Sequence, residues 1–552
     1  MPRITRGRLV SALCALGLLA LPAGATAQSD TTSLQILGVN DFHGAMEPST
    51  VAGRRLGGAA YLAAYLKRYE RERNPGGTLT VHAGDLVNAS PLISGYFNDE
   101  PTTYAINEMG FDLGTLGNHE FDEGGREMLR LLRGGQRRDA KRMRDGNLVS
   151  DRNFPGSTFP YIASNTYRAA NGRRVLPSRI VLKRKGVKVG FVGVTTEDTP
   201  NIVIPQAIAP FSILDISDQV NREVAILKRR GVETIIVLAH SGGFESNGQL
   251  QTTPANEIAQ EASEMDDEVD GIIAGHTHSR INSVVDGKRI MSAFSNGTAF
   301  DRMTLEVDRS TGDVLGTAGG EVVDVVNDGT SPDIETQMIV NRFRTQIEPI
   351  TSRVVGNSQS GLNRNPTRSQ ETSLGDFIAD AQRAKAGTQL ALMNPGGIRA
   401  DLNAGEVTFG ELATIQPFDN AVRRVELTGD QLRRILEQQL FPNPADPAAR
   451  SRILQISGIR YSYDARSPNG AKIVPGTLVL ENGTPILPTT TYTVAANEFI
   501  ASGGDGFTVF REGRIVASFG SDLEALEDYV ESLTQPFPSP DPTTNPRITR
   551  AD

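Results

Sequence analysis

The chain has 552 residues and a formal net charge of −9, with 38% hydrophobic and 22% charged residues. This is the composition of a globular protein long enough for more than one domain, and its acidic balance argues against a general nucleic-acid or anionic-membrane surface. The only cysteine, Cys14, rules out a disulfide framework.

Residues 1–27 read as a signal peptide. Arg3, Arg6 and Arg8 precede an apolar run over 9–21, and Ala25-Thr-Ala27 has the small-x-small form of a signal-peptidase site. The run is too short to span a membrane. Cleavage after Ala27 is expected, with export to the periplasm or the outside of the cell. Cys14 sits in the middle of the run, away from any lipidation point. No stable membrane anchor is expected.

From 28 to 330, short apolar runs alternate with helical patterns. Residues 34–39, 79–83, 180–182, 187–194, 234–239 and 269–274 read as strands; 59–73, 101–109, 125–132 and 217–230 read as helices. The alternation predicts a layered α/β domain. The polar stretch 136–155, with Arg137, Arg138, Lys141, Arg142 and Arg144, reads as a solvated insertion. Ser331 is a candidate N-cap and Pro332 suits a first helical turn, so 331–350 is expected to be a connecting helix. A different α/β domain is expected over 351–534. The Pro-, Thr- and Asp-rich residues 535–552 read as a disordered tail.

Five of the six histidines directly follow strand-like runs. Asp41 and His43 follow 34–39, and in extended chain residues i and i+2 point the same way, so the pair can converge on one ion. Asp85 follows Gly84 at the end of the next strand. Asn118 and His119 follow the apolar run 111–116. His240 ends 234–239, and His276 and His278, again at i and i+2, follow 269–274. A layered sheet gathers such groups along the carboxyl edge of its strands. His82, inside a strand, is expected to pack instead.

Nitrogen and oxygen donors without thiolate suit zinc, manganese or iron. Seven candidate ligands (Asp41, His43, Asp85, Asn118, His240, His276 and His278) are too many for one tetrahedral ion. They suit two divalent ions sharing a bridging carboxylate. A lone strand-end histidine is more often a surface or hydrogen-bonded residue, but five interleaved with Asp and Asn outweigh that reading. Asp122 stands where the chain can turn back on the His119 imidazole or cap the following helix.

Asp41-x-His43, Gly84-Asp85, Gly117-Asn-His-Glu-Phe-Asp122, His240 and Gly275-His-Thr-His278 together resemble the signature set of the calcineurin-like metallophosphoesterases. The long Asn-His-Glu-Phe-Asp form resembles the 5′-nucleotidase branch. The resemblance implies a four-layer α/β/β/α sandwich. It also implies Asp41, His43, Asp85 and His278 on one metal and Asp85, Asn118, His240 and His276 on the other, with His119 outside both ligand sets. Phosphoryl transfer needs positive charge and a proton donor near the developing oxyanion, and a protonated His119 oriented by Asp122 fits that need.

In the second half, Asn394-Pro-Gly-Gly-Ile-Arg399 follows an apolar run, Gln416-Pro-Phe418-Asp-Asn420 presents an aromatic ring, and Phe499 and Asp505 flank a glycine-rich loop. Each phenylalanine alone is more often core. Together these stretches resemble the C-terminal substrate-binding domain of 5′-nucleotidases. By position, Phe418 and Phe499 would stack a base, Asn394 and Asn420 would meet its edge, Asp505 the ribose, and Arg364, Arg368 and Arg399 the phosphate. Pro395, Asp419 and Ser373 depart from the family pattern, and Asp419 places a negative charge beside the base site. The expected activity is hydrolysis of nucleoside 5′-monophosphates, completed by domain closure about 331–350. UDP-sugar, 2′,3′-cyclic-nucleotide or thiosulfate-ester hydrolysis, and a non-catalytic nucleotide-binding surface protein, are the alternatives.

Overall fold

The computed structural model describes residues 30–51, 53–137, 149–246, 248–253, 256–418, 420–440 and 453–552. The signal-peptide segment with Cys14, most of the basic insertion (Arg138 to Arg144) and Asp419 lie outside the described residues.

Two six-stranded sheets, counted among the described residues, lie face to face in the N-terminal half. One runs, from edge to edge, Gly319–Asp324, Ala299–Asp308, Thr31–Val39, Thr78–His82, Leu113–Thr115 and Tyr161–Ile162. The other runs Arg280–Val285, Lys288–Ala293, Gly271–Ala274, Thr234–His240, Val187–Thr195 and Arg179–Arg184. Thr31–Val39, Thr78–His82 and Leu113–Thr115 run parallel in the first, and Val187–Thr195, Thr234–His240 and Gly271–Ala274 in the second. These strands are buried on both faces, which is why the sequence shows them as continuous apolar runs. Leu34, Ile36, Leu79 and Val81 meet Phe191, Ile236, Leu238 and Ile273 between the sheets. Leu37 and Val39 turn outward to the helix Ala59–Arg73, and Val192, Val194 and Val237 to the helices Ile216–Lys228 and Glu257–Glu264. The result is helix, sheet, sheet, helix, as the resemblance implies.

Five of the twelve strands, the two-residue Tyr161–Ile162 and the four from Arg280 to Asp324, are absent from the apolar pattern. Arg280–Val285, Ala299–Asp308 and Gly319–Asp324 are antiparallel strands with partly exposed faces, so no continuous run marks them, and the buried Lys288–Ala293 is masked by its opening Lys288-Arg289. The connecting helix is Ile334–Thr351. Its N-cap is Asp333, whose side chain accepts the Thr336 N–H, rather than Ser331. Val340, Phe343 and Ile347 anchor it in the N-terminal core with Phe97 and Ile106.

The C-terminal half is built on the sheet Gln455–Ser457, Leu390–Met393, Thr491–Asn497, Ala421–Thr428 and Arg514–Ser521. The expectation of a disordered tail over 535–552 is wrong. Phe537 is fully buried on Phe377, and Ile548–Arg550 adds a parallel strand to Ile459–Tyr463. Arg547 ties this segment to Asp380 by two hydrogen bonds of 2.8 Å. Polar and proline-rich composition hides the two apolar residues that hold it.

Candidate active site

All seven candidate ligands lie at the carboxyl ends of parallel strands, on one edge shared by the two N-terminal sheets. Asp41 and His43 follow Thr31–Val39, Asp85 follows Thr78–His82, and Asn118 follows Leu113–Thr115. His240 ends Thr234–His240, and His276 and His278 follow Gly271–Ala274. The convergence is not produced by extended chain, as the i, i+2 spacing suggests. Asp41, His43, Asp85, His276 and His278 all have positive φ, between 45° and 73°. Non-glycine residues adopt this region rarely, and such strain clusters at functional sites. His276 and His278 consequently part company: His276 Nδ1 lies 3.0 Å from Asn118 Oδ1, and His278 Nε2 lies 3.1 Å from His43 Nε2.

Two donor groups result. Asp41, His43 and His278 form one. Asp85 Oδ2 and Asn118 Oδ1, each 3.0 Å from His240 Nε2, form the other with His276. Asp85 lies between them, its Oδ2 also 3.8 Å from His43 Nε2.

The tautomers show whether cations fit. A carbonyl can only accept, so His43 Nδ1 donates to Asn88 O (2.9 Å) and His240 Nδ1 to Ala83 O (2.8 Å). In the neutral ring the His240 Nε2 lone pair then faces the lone pairs of Asn118 Oδ1 and Asp85 Oδ2. Buried acceptors crowded in this way need a positive charge among them. Burial alone would lower the His240 pKa, yet Asp85 and Asp41 push it up to about 10, so a proton is drawn into the place a cation would satisfy. Burial holds His43 down at about 3, neutral and ready to ligate. The residues fit two divalent ions.

His119 is held differently. Its Nδ1 lies 2.6 Å from Asp122 Oδ2, its backbone N–H donates to Asp85 Oδ1 (2.8 Å), and its carbonyl accepts from Asn88 Nδ2 (2.7 Å). Burial works against its charge, but Asp122 and Asp85 raise its pKa to about 8. His119 is within ligand reach of His43 and Asp85. Its engagement with Asp122 leaves Nε2 as the nitrogen available to a substrate. His82 is buried among Phe111, Phe159 and Tyr161, a packing residue as expected.

The second half reaches this centre. Phe418 stacks on the His119 ring, with centroids 5.8 Å apart and planes at 21°, and the Arg399 guanidinium lies 5.7 Å from the centroid of Phe418. Arg399 feels the charges of Asp85, Asp122 and Asp41, although burial lowers its pKa. Strand directions bring the other residues to one edge. Leu390–Met393 and Thr491–Asn497 are parallel, so Asn394 and Phe499 follow their carboxyl ends. Ala421–Thr428 is antiparallel, so Asn420 precedes its amino end. Asn394 donates to Asp505 Oδ2 (3.0 Å) and accepts from Asn497 (2.8 Å). Phe499 is only partly buried.

Two phosphate candidates are engaged elsewhere. Arg364 pairs with Asp401 at 3.0 Å, and Arg368 donates to the main-chain carbonyl of Asp552. Nothing local in the sequence reveals that second contact, because it spans 184 residues. Asn88 is a neighbour of this centre that the sequence gives no local pattern for; its φ of 61°, which Asn tolerates better than most residues, is seen only in the structure.

Seven candidate nitrogen and oxygen ligands on the edge shared by two mixed sheets, with a carboxylate-bound histidine beside them, define a metallophosphoesterase centre. The comparisons agree. Residues 34–280 match the calcineurin-like phosphoesterase model and 352–512 the 5′-nucleotidase C-terminal domain model. The cell wall protein Lmo0130 of Listeria monocytogenes is 34% identical over 94% of this chain and 69% of its own length. The endonuclease YhcR of Bacillus subtilis is 35% identical over 93% of this chain, which spans only 41% of that relative. The 5′-nucleotidase precursor structure from Thermus thermophilus superposes with a TM-score of 0.75 at 25% identity, covering 94% of this chain and 99% of that one. The chain belongs to the 5′-nucleotidase family and is a metal-dependent phosphoester hydrolase.

Proposed function

We propose that this chain is an exported hydrolase converting nucleoside 5′-monophosphates to nucleoside and phosphate, with di- and triphosphates as further substrates, and that zinc or manganese fills its two metal positions. The observation that carries this reading is the Phe418 ring stacked on His119 with the Arg399 guanidinium also against it. It brings the residues suited to a base and a phosphate against the hydrolytic centre. Domain boundaries near 330 and 350 fit the same reading.

When bound, the two cations supply Lewis acidity and lower the pKa of water at the site. Asp122 holds His119 by Nδ1, so the Nε2 proton is the one His119 can pass to the departing ester oxygen. Arg399 balances the phosphoryl charge as it develops. Phe418 and Phe499 offer faces to a base, and Asp505, oriented by Asn394, offers an acceptor to ribose hydroxyls. Because Phe418 lies on His119 here, a nucleotide has to move that ring to stack on it, which gives the domain motion a specific task. Docking of the connecting helix on the N-terminal core supports a pivot at its carboxyl end rather than along 331–350.

Export is supported by the signal-like first 27 residues and by relatives described as a cell wall protein and a precursor. Among the described residues no helix is long and apolar enough to cross a membrane. The Bacillus relative is called an endonuclease, and a Thermus thermophilus sulfate thiohydrolase shares the fold at 16% identity. Chromatography of the products, together with free phosphate, from AMP, UMP, ATP, UDP-glucose, 2′,3′-cyclic AMP, 3′-AMP and a single-stranded oligonucleotide, with and without chelator, tests the assignment. The expected result is fastest, chelator-sensitive release from the 5′-monophosphates. Preference for a cyclic nucleotide, UDP-glucose or the oligonucleotide would overturn the substrate, and nucleotide binding without release in Mn²⁺ or Zn²⁺ would overturn catalysis.

A further inference from the structure

Glu120 is almost fully buried and takes no part in the metal-ligand or proton-donor scheme above. It sits in the short turn His119–Phe121, directly after Asn118 and His119, and its side chain points back under the neighbouring loop. Its Oε2 accepts the backbone N–H groups of Asp85 (3.0 Å) and Gly117 (2.5 Å), and its Oε1 accepts that of Leu86 (2.9 Å). One carboxylate thus collects three main-chain donors from two separate strand-end loops.

Those loops are under unusual constraint. Gly84 has φ +87° and Asp85 φ +51°, so the chain reverses tightly there and its N–H groups cannot join the sheet. The loops touch backbone to backbone: a Cβ on Gly117 would collide with Asp85, and a Cβ on Gly84 would collide with Gly117. Asp85 completes a reciprocal link by accepting the His119 N–H through Oδ1 (2.8 Å). That bond uses one carboxylate oxygen and leaves Oδ2 toward the histidines.

We propose that Glu120 is a positioning residue of the metal centre, holding the left-handed Asp85 backbone so that its carboxylate is aimed between the two donor groups. The chemistry requires a carboxylate. Three N–H donors converge on two oxygens with no donor needed in return, and an amide at the same place would turn an NH₂ group against at least one of them. The inference rests on the reading of Asp85 as a shared ligand, and the experiment separates the two.

Chelator-treated wild type, Glu120→Gln and Glu120→Asp are titrated with Mn²⁺ in a calorimeter, and the melting temperature of each apoprotein is recorded. Wild type should take up two Mn²⁺. Partners that orient metal ligands are worth about 10–100-fold in affinity, so Glu120→Gln should bind Mn²⁺ at least about tenfold more weakly. Its lost kcat should return at high Mn²⁺, with KM for AMP unchanged. Glu120→Asp, which keeps the charge on a shorter arm, should fall between the two and remains informative if the Gln variant does not fold. A residue that merely staples loops would lower the apoprotein melting temperature and leave affinity alone. Mn²⁺ affinity within about twofold of wild type in the folded variants would therefore overturn the proposal. Failure of wild type to bind two Mn²⁺ would instead overturn the reading of the centre itself.

Discussion

Replacing Phe537 by alanine tests whether the last segment is part of the folded domain. Phe537 is fully buried, its ring stacks on Phe377 with centroids 5.2 Å apart, and it shares a cluster with Leu374, Leu526 and Val530. Its backbone is fixed on both sides: its N–H donates to Asn357 O and its carbonyl accepts from Gln359 N, each at 2.9 Å. Truncating a phenylalanine in such a place costs about 3–5 kcal/mol, a large part of the roughly 5–15 kcal/mol that holds a domain together. With a urea slope of about 2 kcal/mol/M, the unfolding midpoint of the C-terminal half should fall by about 1.5–2.5 M. Urea titration followed by far-ultraviolet circular dichroism reads this directly. A midpoint within about 0.3 M of wild type would mean that the segment contributes little, as a frayed tail would, and would refute the packing argument.

Two further outcomes are expected. His119→Ala should lower kcat by roughly 10²–10⁴, the usual range for a general acid, while metal content measured by plasma mass spectrometry stays near wild type; loss of metal would make His119 a ligand. Asp270 gives a pH prediction. Burial pushes its pKa from 3.8 up to about 7, against the stabilising Ile235 N–H. The folded state therefore holds this proton more tightly than the unfolded chain, and stability falls as pH rises from about 3.8 to about 7 and is level above. Asp270→Asn keeps an acceptor and removes the titration, so its melting temperature should gain on wild type between pH 5 and pH 8. Parallel pH profiles would sink this account.

The strand positions and the donor set were legible because each has a local cause. Parallel strands buried on both faces must be apolar throughout, and the residues that follow them must sit on one edge. The antiparallel strands Arg280–Val285, Ala299–Asp308 and Gly319–Asp324 were not legible, since strands with a partly exposed face carry no continuous run. Asp41 and His43 were correctly placed together for a reason that proved wrong: their convergence comes from left-handed backbone, which i, i+2 spacing in extended chain does not describe. Arg368 was matched to phosphate by position, yet its guanidinium engages Asp552, a partner no local pattern contains.

By itself, then, the sequence determined the chemistry available: seven candidate nitrogen and oxygen ligands, a histidine with its carboxylate, and two aromatic loops, each named by residue type and strand end. Tertiary structure decided their directions. It sent His276 and His278 to different donor groups, set Phe418 on His119, and pinned 535–552 to the C-terminal half through Phe537 and Ile548. Side-chain aim depends on loop φ values and on contacts between residues hundreds apart, and neither is written in the neighbouring sequence.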